Sequence, residues 1–164
     1  SDRWEAMGDL SYTRWNTLDK LNVQYTTAGV ARTDTEAFDY DNSWRIAWGA
    51  AYKASDAWKV KFGIAYDTTP TSNANRTARV PDNDRIWASI GATYNWNEKL
   101  SLDASYTHIF VKNVNVNIVA GNPHYINPFV QLVGNGKAHV DIFAVSLRYR
   151  WDNPPARAAI VTKG

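Results

Sequence analysis

The sequence predicts an all-β protein, an antiparallel up-and-down transmembrane β-barrel segment of about six long strands. Three observations predict it. Apolar residues alternate with small or polar ones at period two in six stretches, the pattern of half-exposed strands. The gaps between stretches alternate between tight and long, as they do when short turns lie on one side of a membrane and long loops on the other. The aromatic residues, 8 Trp, 9 Tyr and 5 Phe, cluster at the ends of the apolar rows.

The first stretch places Trp4, Ala6, Gly8, Leu10 and Tyr12 against Glu5, Met7, Asp9, Ser11 and Thr13, with the weakest alternation of the six. The second sets Trp44, Ile46, Trp48, Ala50 and Tyr52 against Arg45, Ala47, Gly49, Ala51 and Lys53. After a polar break at 54–57, Trp58, Val60, Phe62, Ile64 and Tyr66 face away from Lys59, Lys61, Gly63, Ala65 and Asp67, so the break reads as a hairpin turn. Ile86, Ala88, Ile90, Ala92, Tyr94 and Trp96 then oppose Trp87, Ser89, Gly91, Thr93 and Asn95. A turn at 97–99 leads to Leu100, Leu102, Ala104, Tyr106, His108 and Phe110 against Ser101, Asp103, Ser105, Thr107 and Ile109. The last stretch sets Phe143, Val145, Leu147, Tyr149 and Trp151 against Ala144, Ser146, Arg148 and Arg150.

Segments 26–41, 68–82 and 119–137 are long and rich in Thr, Asn, Gly and Pro, and are expected to be loops. Leu21–Tyr25 and Asn113–Ile118 also alternate and are expected to continue strands beyond the membrane on the long-loop side. An internal repeat at an offset of 42 aligns Gly49–Tyr52 with Gly91–Tyr94 and Trp58 with Leu100, so the repeating unit is one hairpin.

At the short-turn end the apolar rows finish in Trp4, Tyr52, Trp58, Tyr94, Trp96, Tyr149 and Trp151; at the other end stand Tyr12, Trp44, Tyr66, Phe110 and Phe143. Two aromatic girdles thus bracket an aliphatic band. The eight residue steps from Trp44 to Tyr52 rise roughly 20 Å at about 40° of tilt, close to the band height of outer-membrane barrels. A β-sandwich would also alternate, but would not need its aromatics in two level rings. The second rows carry Glu5, Asp9, Arg45, Lys59, Lys61, Asp67, Asp103, Arg148 and Arg150, which would be costly in lipid and therefore face the lumen.

Composition removes other classes. The chain has no cysteine, which excludes disulfides and thiolate sites. Its 18 basic and 16 acidic residues leave a net charge of +2 without a basic block, so no nucleic-acid partner is expected. Mean hydropathy is −0.45 and no apolar run approaches the ~18 residues of a spanning helix, a test to which alternating strands are blind. The start, Ser1-Asp2-Arg3-Trp4, lacks the basic and apolar regions of a signal peptide.

The segments Asp41–Tyr52, Phe62–Asp67 and Asn75–Trp87 resemble the FadL/TodX family of outer-membrane transporters for long-chain fatty acids and other hydrophobic compounds. Arg76 together with Pro81-Asp-Asn-Asp-Arg85-Ile-Trp87 is the most specific part of that likeness. The resemblance implies that residues 1–151 are the C-terminal part of the barrel, the last six of fourteen strands. Residues 152–164 are then a polar periplasmic tail. It also implies passive uptake of long-chain fatty acids or aromatic hydrocarbons, with this chain supplying wall and lumen lining. The implied partners are outer-membrane lipid and lipopolysaccharide, a hydrophobic small-molecule substrate, the remainder of the barrel and an N-terminal plug. No cofactor is expected. Six strands cannot close a barrel of known size, and an open edge in lipid is costly, so the chain is expected to be part of a larger protein.

Candidate site residues follow, each with two readings. Arg45, Lys59 and Lys61, with Arg85, Arg148 and Arg150, are placed to attract a carboxylate head group, or else to pair with Glu5, Asp9, Asp67 and Asp103. Trp87 lines a hydrophobic passage or fills a gap beside glycines. Phe129, Val130, Leu132 and Val133 form a greasy extracellular surface for substrate or extend a strand. Arg76, Asp82, Asp84 and Arg85 lie where a long loop returns to the barrel and are expected to anchor it. His108, His124 and His139 lack metal-ligand spacing, so no metal is expected, and no catalytic motif occurs. Two alternatives have structural tests. A small eight-stranded structural or adhesive barrel would use 21–25 and 113–118 as extra staves, and an outer-membrane enzyme would need a Ser or Asp within reach of His108.

Overall fold

A computed structural model of the chain describes residues 2–125 and 131–151. Ten strands form: β1 (Trp4–Thr13), β2 (Lys20–Thr27), β3 (Val30–Ala37), β4 (Ser43–Lys53), β5 (Trp58–Asp67), β6 (Arg85–Asn95), β7 (Leu100–Val111), β8 (Val114–Ile118), β9 (Leu132–Gly136) and β10 (His139–Tyr149). Six of them make one antiparallel sheet in the order β1-β4-β5-β6-β7-β10, the wall that the alternation predicts. The other four form two separate hairpins, β2-β3 and β8-β9, inside the long connections.

These hairpins correct the sequence reading in two ways. Leu21–Tyr25 and the 113–118 run neither lengthen the wall strands nor add staves to the wall, so the eight-stranded barrel loses its structural basis. Much of 26–41 is strand rather than loop, because β3 is Thr-rich and exposed on both sides along most of its length. A ribbon in water needs no apolar alternation, so period-two counting passes over it. Its turn, Ala28-Gly29, has φ of 50° and 77°, the paired positive values of a tight hairpin connection.

The outward row of the wall is exposed and apolar: Trp48, Ile64 and Ile90 are 64%, 58% and 50% exposed. The inward row holds the buried Ala51, Ala65 and Ile109. This distribution fits a sheet whose outer face meets lipid and whose inner face is crowded by curvature and by the loops above it. The girdle aromatics meet across strands, Trp4 on Tyr52, Tyr12 on Trp44 and Trp58 on Tyr94, with ring centroids 4.4 to 4.7 Å apart.

Register sets the slope of the wall. Tyr52 faces Val60, Val60 faces Ala92, Ala92 faces Ala104 and Ala104 faces Val145, yet the girdle residue of β10 is Tyr149, four residues further along. Four strand steps therefore shift the girdle by four residues. One residue of rise per strand spacing corresponds to a tilt of roughly 35°, within the range of membrane barrels. The same stagger moves the upper end of β10: it begins at His139, not Phe143, and Phe143 lies opposite Tyr106 inside the row rather than at its end. His139 and Asp141 occupy the outward row at that end, and their polarity conceals four strand residues from a hydrophobic count.

Candidate functional site

The inner face of the wall is a grid of compensated charges. Register brings Arg45 opposite Asp67 and Asp67 opposite Arg85 across β4, β5 and β6. Arg45 pairs with Asp9 at 3.2 Å, Lys59 with Glu5 at 2.8 Å and Lys61 with Asp103 at 2.7 Å, where Thr93 also donates to Asp103. Arg85 reaches Asp67 at 3.5 Å and Asp82 at 3.3 Å. Four of the six cations named from sequence, Arg45, Lys59, Lys61 and Arg85, thus stand in ion pairs. Trp87 lies on the same face opposite Ala65 and Ile109, and the Arg45 guanidinium lies 5.8 Å from its ring centre.

Two donors on this face are left over. Arg85 Nε and Trp87 Nε1, two residues apart on β6, are buried and have no hydrogen-bond partner among the described residues. An orphaned donor of this kind costs about 1–3 kcal/mol, and such groups commonly mark a place where something else binds.

Above the grid, the loop 68–84 binds both hairpin connections. Arg76, only 2% exposed, donates from Nε to the Asp82 carbonyl at 2.7 Å and from its terminal nitrogens to the Asn73 side chain, the Thr71 carbonyl and the Asn115 carbonyl of β8. It therefore meets the main chain of Asp82, not the carboxylate. Asn75 donates to the Asp39 carbonyl, Asn83 to the Asn113 carbonyl at 2.6 Å, and Asn122 to the Ala74 carbonyl at 3.1 Å. Asp84 accepts from the Thr69 amide and the Tyr66 hydroxyl, both at 3.1 Å, while the Asp82 carboxylate accepts from Thr69 and Arg85.

Two of the cavities between the packed loops share part of their lining. The outer one, about 360 Å³, lies between the β2-β3 hairpin and the 68–84 loop, where Leu21, Val23, Phe38, Tyr40 and Val80 meet Arg79 and His124. The inner one, about 410 Å³, opens over the lumen grid and is lined by Trp15, Tyr40, Val80, Arg45, Asp82 and Arg85. Tyr40 and Val80 belong to both linings and so form the partition between them. Tyr40 is packed by Phe38 at 5.3 Å and edge-on by Trp15 at 6.5 Å, and Trp15 Nε1 donates to Ser43. Burial first, and then the carboxylates of Asp82 and Glu36, hold the Tyr40 hydroxyl above its ordinary value, so it remains a neutral donor.

Sequence reading misses the Trp15, Phe38 and Tyr40 cluster, since those residues sit in connections where no period exists. Two aromatics just before the Trp44 strand are the available signal. Of the greasy surface, Leu132 and Val133 lie exposed in β9, paired with Ile118 and Asn117, while Phe129 and Val130 fall outside the described residues. Asp141 does lie within reach of His108, at 2.6 Å, but the third member of that cluster is the Tyr106 hydroxyl rather than a serine. No group of three metal-ligating side chains forms among the described residues.

An up-and-down membrane sheet with a charged, loop-capped inner face is the architecture of outer-membrane transport barrels. The chain belongs to that class by sequence: residues 1–151 match the family described as outer membrane protein transport protein (OMPP1/FadL/TodX). It is 34% identical over 151 residues to outer membrane protein P1 of Haemophilus influenzae, a match covering 91% of this chain and 32% of the relative. It is 32% identical over 115 residues to the long-chain fatty acid transport protein of Escherichia coli, covering 70% of this chain and 25% of the relative. The crystal structure of a Pseudomonas aeruginosa FadL homologue superimposes with a TM-score of 0.75 at 32% identity, over 91% of this chain and 33% of that one. The chain therefore spans about a quarter to a third of the length of these relatives and matches part of a larger outer-membrane β-barrel. The relatives bear the names of outer-membrane and transport proteins, not of enzymes.

Proposed function

We propose that the chain forms part of the wall and lumen lining of a barrel that passively takes up amphiphilic hydrophobic molecules, long-chain fatty acids in the first place. The observation that carries this reading is the pair of cavities sharing the Tyr40 and Val80 partition, with the unpartnered Arg85 and Trp87 donors on the lumen face below. An alkyl chain leaving water gains roughly 25 cal/mol for each Å² it buries, which the Leu21, Val23, Phe38, Tyr40 and Val80 side of the outer cavity supplies. A carboxylate moving inward then meets donors that lack acceptors, and charge-assisted hydrogen bonds to them offset its desolvation. Because Arg45, Lys59 and Lys61 are already neutralised, the head group is recognised by these donors and not by net charge. In this reading Arg76, Asp82, Asp84 and Arg85 hold the loop that forms the partition. No cofactor takes part, since partition and diffusion supply the driving force.

The name of the Escherichia coli relative supports the fatty-acid class; an aromatic hydrocarbon, having no head group, would gain nothing from the two donors. The test is uptake of a labelled long-chain fatty acid by cells whose only such transporter is the full-length protein. Trp87→Phe keeps an aromatic ring, smaller than the indole, and removes the Nε1 hydrogen. Uptake of the acid is expected to fall about five- to ten-fold, the loss of one charge-assisted bond, with an unchanged rate for a hydrocarbon of equal length. Equal uptake of the acid by variant and parent would remove the donors from the mechanism.

A further inference from the structure

We propose that Tyr40 selects for a head group at the passage between the two cavities, acting as a gate on a strained strap that Asn75 latches. In the fatty-acid reading above, on which this rests, the partition only separates the cavities; here it gains a donor and a moving part. Tyr40 and Val80 are the side chains common to both linings. The Tyr40 ring is braced by Phe38 and Trp15, so a passage opens most readily by turning the main chain that carries it. That main chain is the connection 38–42 between β3 and β4. Asp39, immediately before Tyr40, has φ of 46°; the other described residue besides glycine with a positive value, Ala28, belongs to the β2-β3 turn. Aspartate tolerates this left-handed conformation better than most residues, but it persists only where neighbouring contacts hold it. The holding contact is the Asn75 side-chain amide, which donates to the Asp39 carbonyl. The same side chain accepts from the Ser72 amide at 2.6 Å, so its orientation is set within the 68–84 loop. Asn75 is buried, and water competes little for the bond. Two main-chain bonds flank the latch, from the Phe38 amide to Asp19 at 2.8 Å and from the Asp41 amide to Pro70 at 2.9 Å. Fixing the Asp39 carbonyl fixes the peptide plane that leads into Tyr40, and with it where the ring stands.

The Tyr40 hydroxyl has no hydrogen-bond partner among the described residues. Held protonated, it offers a hydrogen and no charge. The carboxylates nearest it are engaged, Glu36 by Arg79 at 3.6 Å and Asp82 by Arg85 at 3.3 Å, so their repulsion of an incoming anion is offset. A carboxylate head arriving from the outer cavity can therefore accept from Tyr40 as the ring turns, a charge-assisted bond that compensates part of its desolvation. Arg85, which lines the inner cavity and has its Nε without a partner, stands next in its path. A hydrocarbon has no such compensation and meets only the closed ring.

Two measurements on the full-length protein separate the latch from the donor. Asn75→Asp keeps the acceptor for Ser72 and removes the donor to Asp39, while Tyr40→Phe keeps the ring and the latch and removes the hydroxyl. Hydrogen exchange in lipid vesicles, read by mass spectrometry on peptides covering 38–42, should quicken about tenfold in Asn75→Asp with β4 unchanged, since one buried bond holds the strap. Tyr40→Phe should exchange as the parent does. In cells, Tyr40→Phe should take up a labelled long-chain fatty acid about tenfold more slowly, the loss of one charge-assisted bond, and a hydrocarbon of equal length at the parent rate. Asn75→Asp should admit the hydrocarbon several-fold faster and so lower the acid-to-hydrocarbon ratio. Gel heat-modifiability verifies that each variant has folded. Parent-like exchange over 38–42 in Asn75→Asp would overturn the latch. A fall in Tyr40→Phe shared equally by the hydrocarbon, or no fall at all, would overturn selection by the hydroxyl. A parent protein that takes up no fatty acid would instead defeat the fatty-acid reading, with exchange over 38–42 still deciding whether Asn75 latches the strap.

Discussion

The wall and the long connections bury opposite kinds of residue. Among the described residues, those below a tenth exposed in the wall are Ala51, Ala65, Ile109 and, at its upper rim, Ser43; in the connections they are Thr71, Asn75, Arg76 and Asn83, joined by Val114 alone among apolar residues. The reason lies in the two solvents. Wall strands satisfy their backbone through the ladder, so their side chains need only suit lipid on one face and close packing on the other. The loops have no ladder over most of 68–84, and their carbonyls must be met by side chains. Guanidinium and amide groups do this because each carries several donors, and Arg76 alone serves three main-chain carbonyls. The wall is held by repetition, the loops by particular residues.

Breaking the hub should give the largest effect. Arg76→Leu leaves the carbonyls of Thr71, Asp82 and Asn115 without their donor, at a local cost on the order of 4 kcal/mol. Limited proteolysis should then cut the 68–84 loop at least tenfold faster, while the full barrel keeps its gel heat-modifiability. A parallel loss of both would mean that the loops and wall form one cooperative unit, and the contrast drawn above would fail. The corresponding injury to the wall is somewhat smaller. Ile64→Arg puts a charge in the middle of the lipid-facing row and should lower barrel stability by about 2–4 kcal/mol in reversible urea unfolding from lipid vesicles. Loop protease resistance should not change in the native state. An equally stable Ile64→Arg barrel would show that this row does not face lipid.

The same contrast separates what is legible in the amino-acid sequence from what is not. The six wall strands, their turns and the inward charges can be read because lipid on one side forces strict alternation on every residue. The lipid-facing row makes Trp44 to Tyr52 recognisable from nine residues alone. Legibility ends where that constraint lapses. Strand β3 has water on both sides and shows no period; β10 reads too short because His139 and Asp141 place polar groups in an apolar row. The importance of Arg76 is visible from the motif around it, but its partners are main-chain carbonyls, and a carbonyl has no letter in the sequence. The Tyr40 and Val80 partition likewise depends on two connections meeting, which only the fold supplies.

The smallest expected effect sharpens the comparison at the β2-β3 ribbon, where side chains on one exposed surface replace burial. The Tyr25 hydroxyl donates to Asp34 at 3.1 Å across the hairpin, and that bond, followed by the nearby negative charge, raises the tyrosine above its ordinary value of 10.0. The folded hairpin thus holds the phenolic proton more tightly than the unfolded chain does. Its contribution is complete below the unfolded tyrosine value and declines as pH rises through the folded one, because the unfolded chain then releases its proton first. Amide exchange in β2 and β3 should therefore quicken above pH ~10, beyond the ordinary base-catalysed rise measured on β5 of the same molecule. Tyr25→Phe should remove that excess and leave exchange at neutral pH only slightly faster, since the pair is fully exposed and water competes for it. An excess that persists in Tyr25→Phe would assign the pH sensitivity of the ribbon to another group.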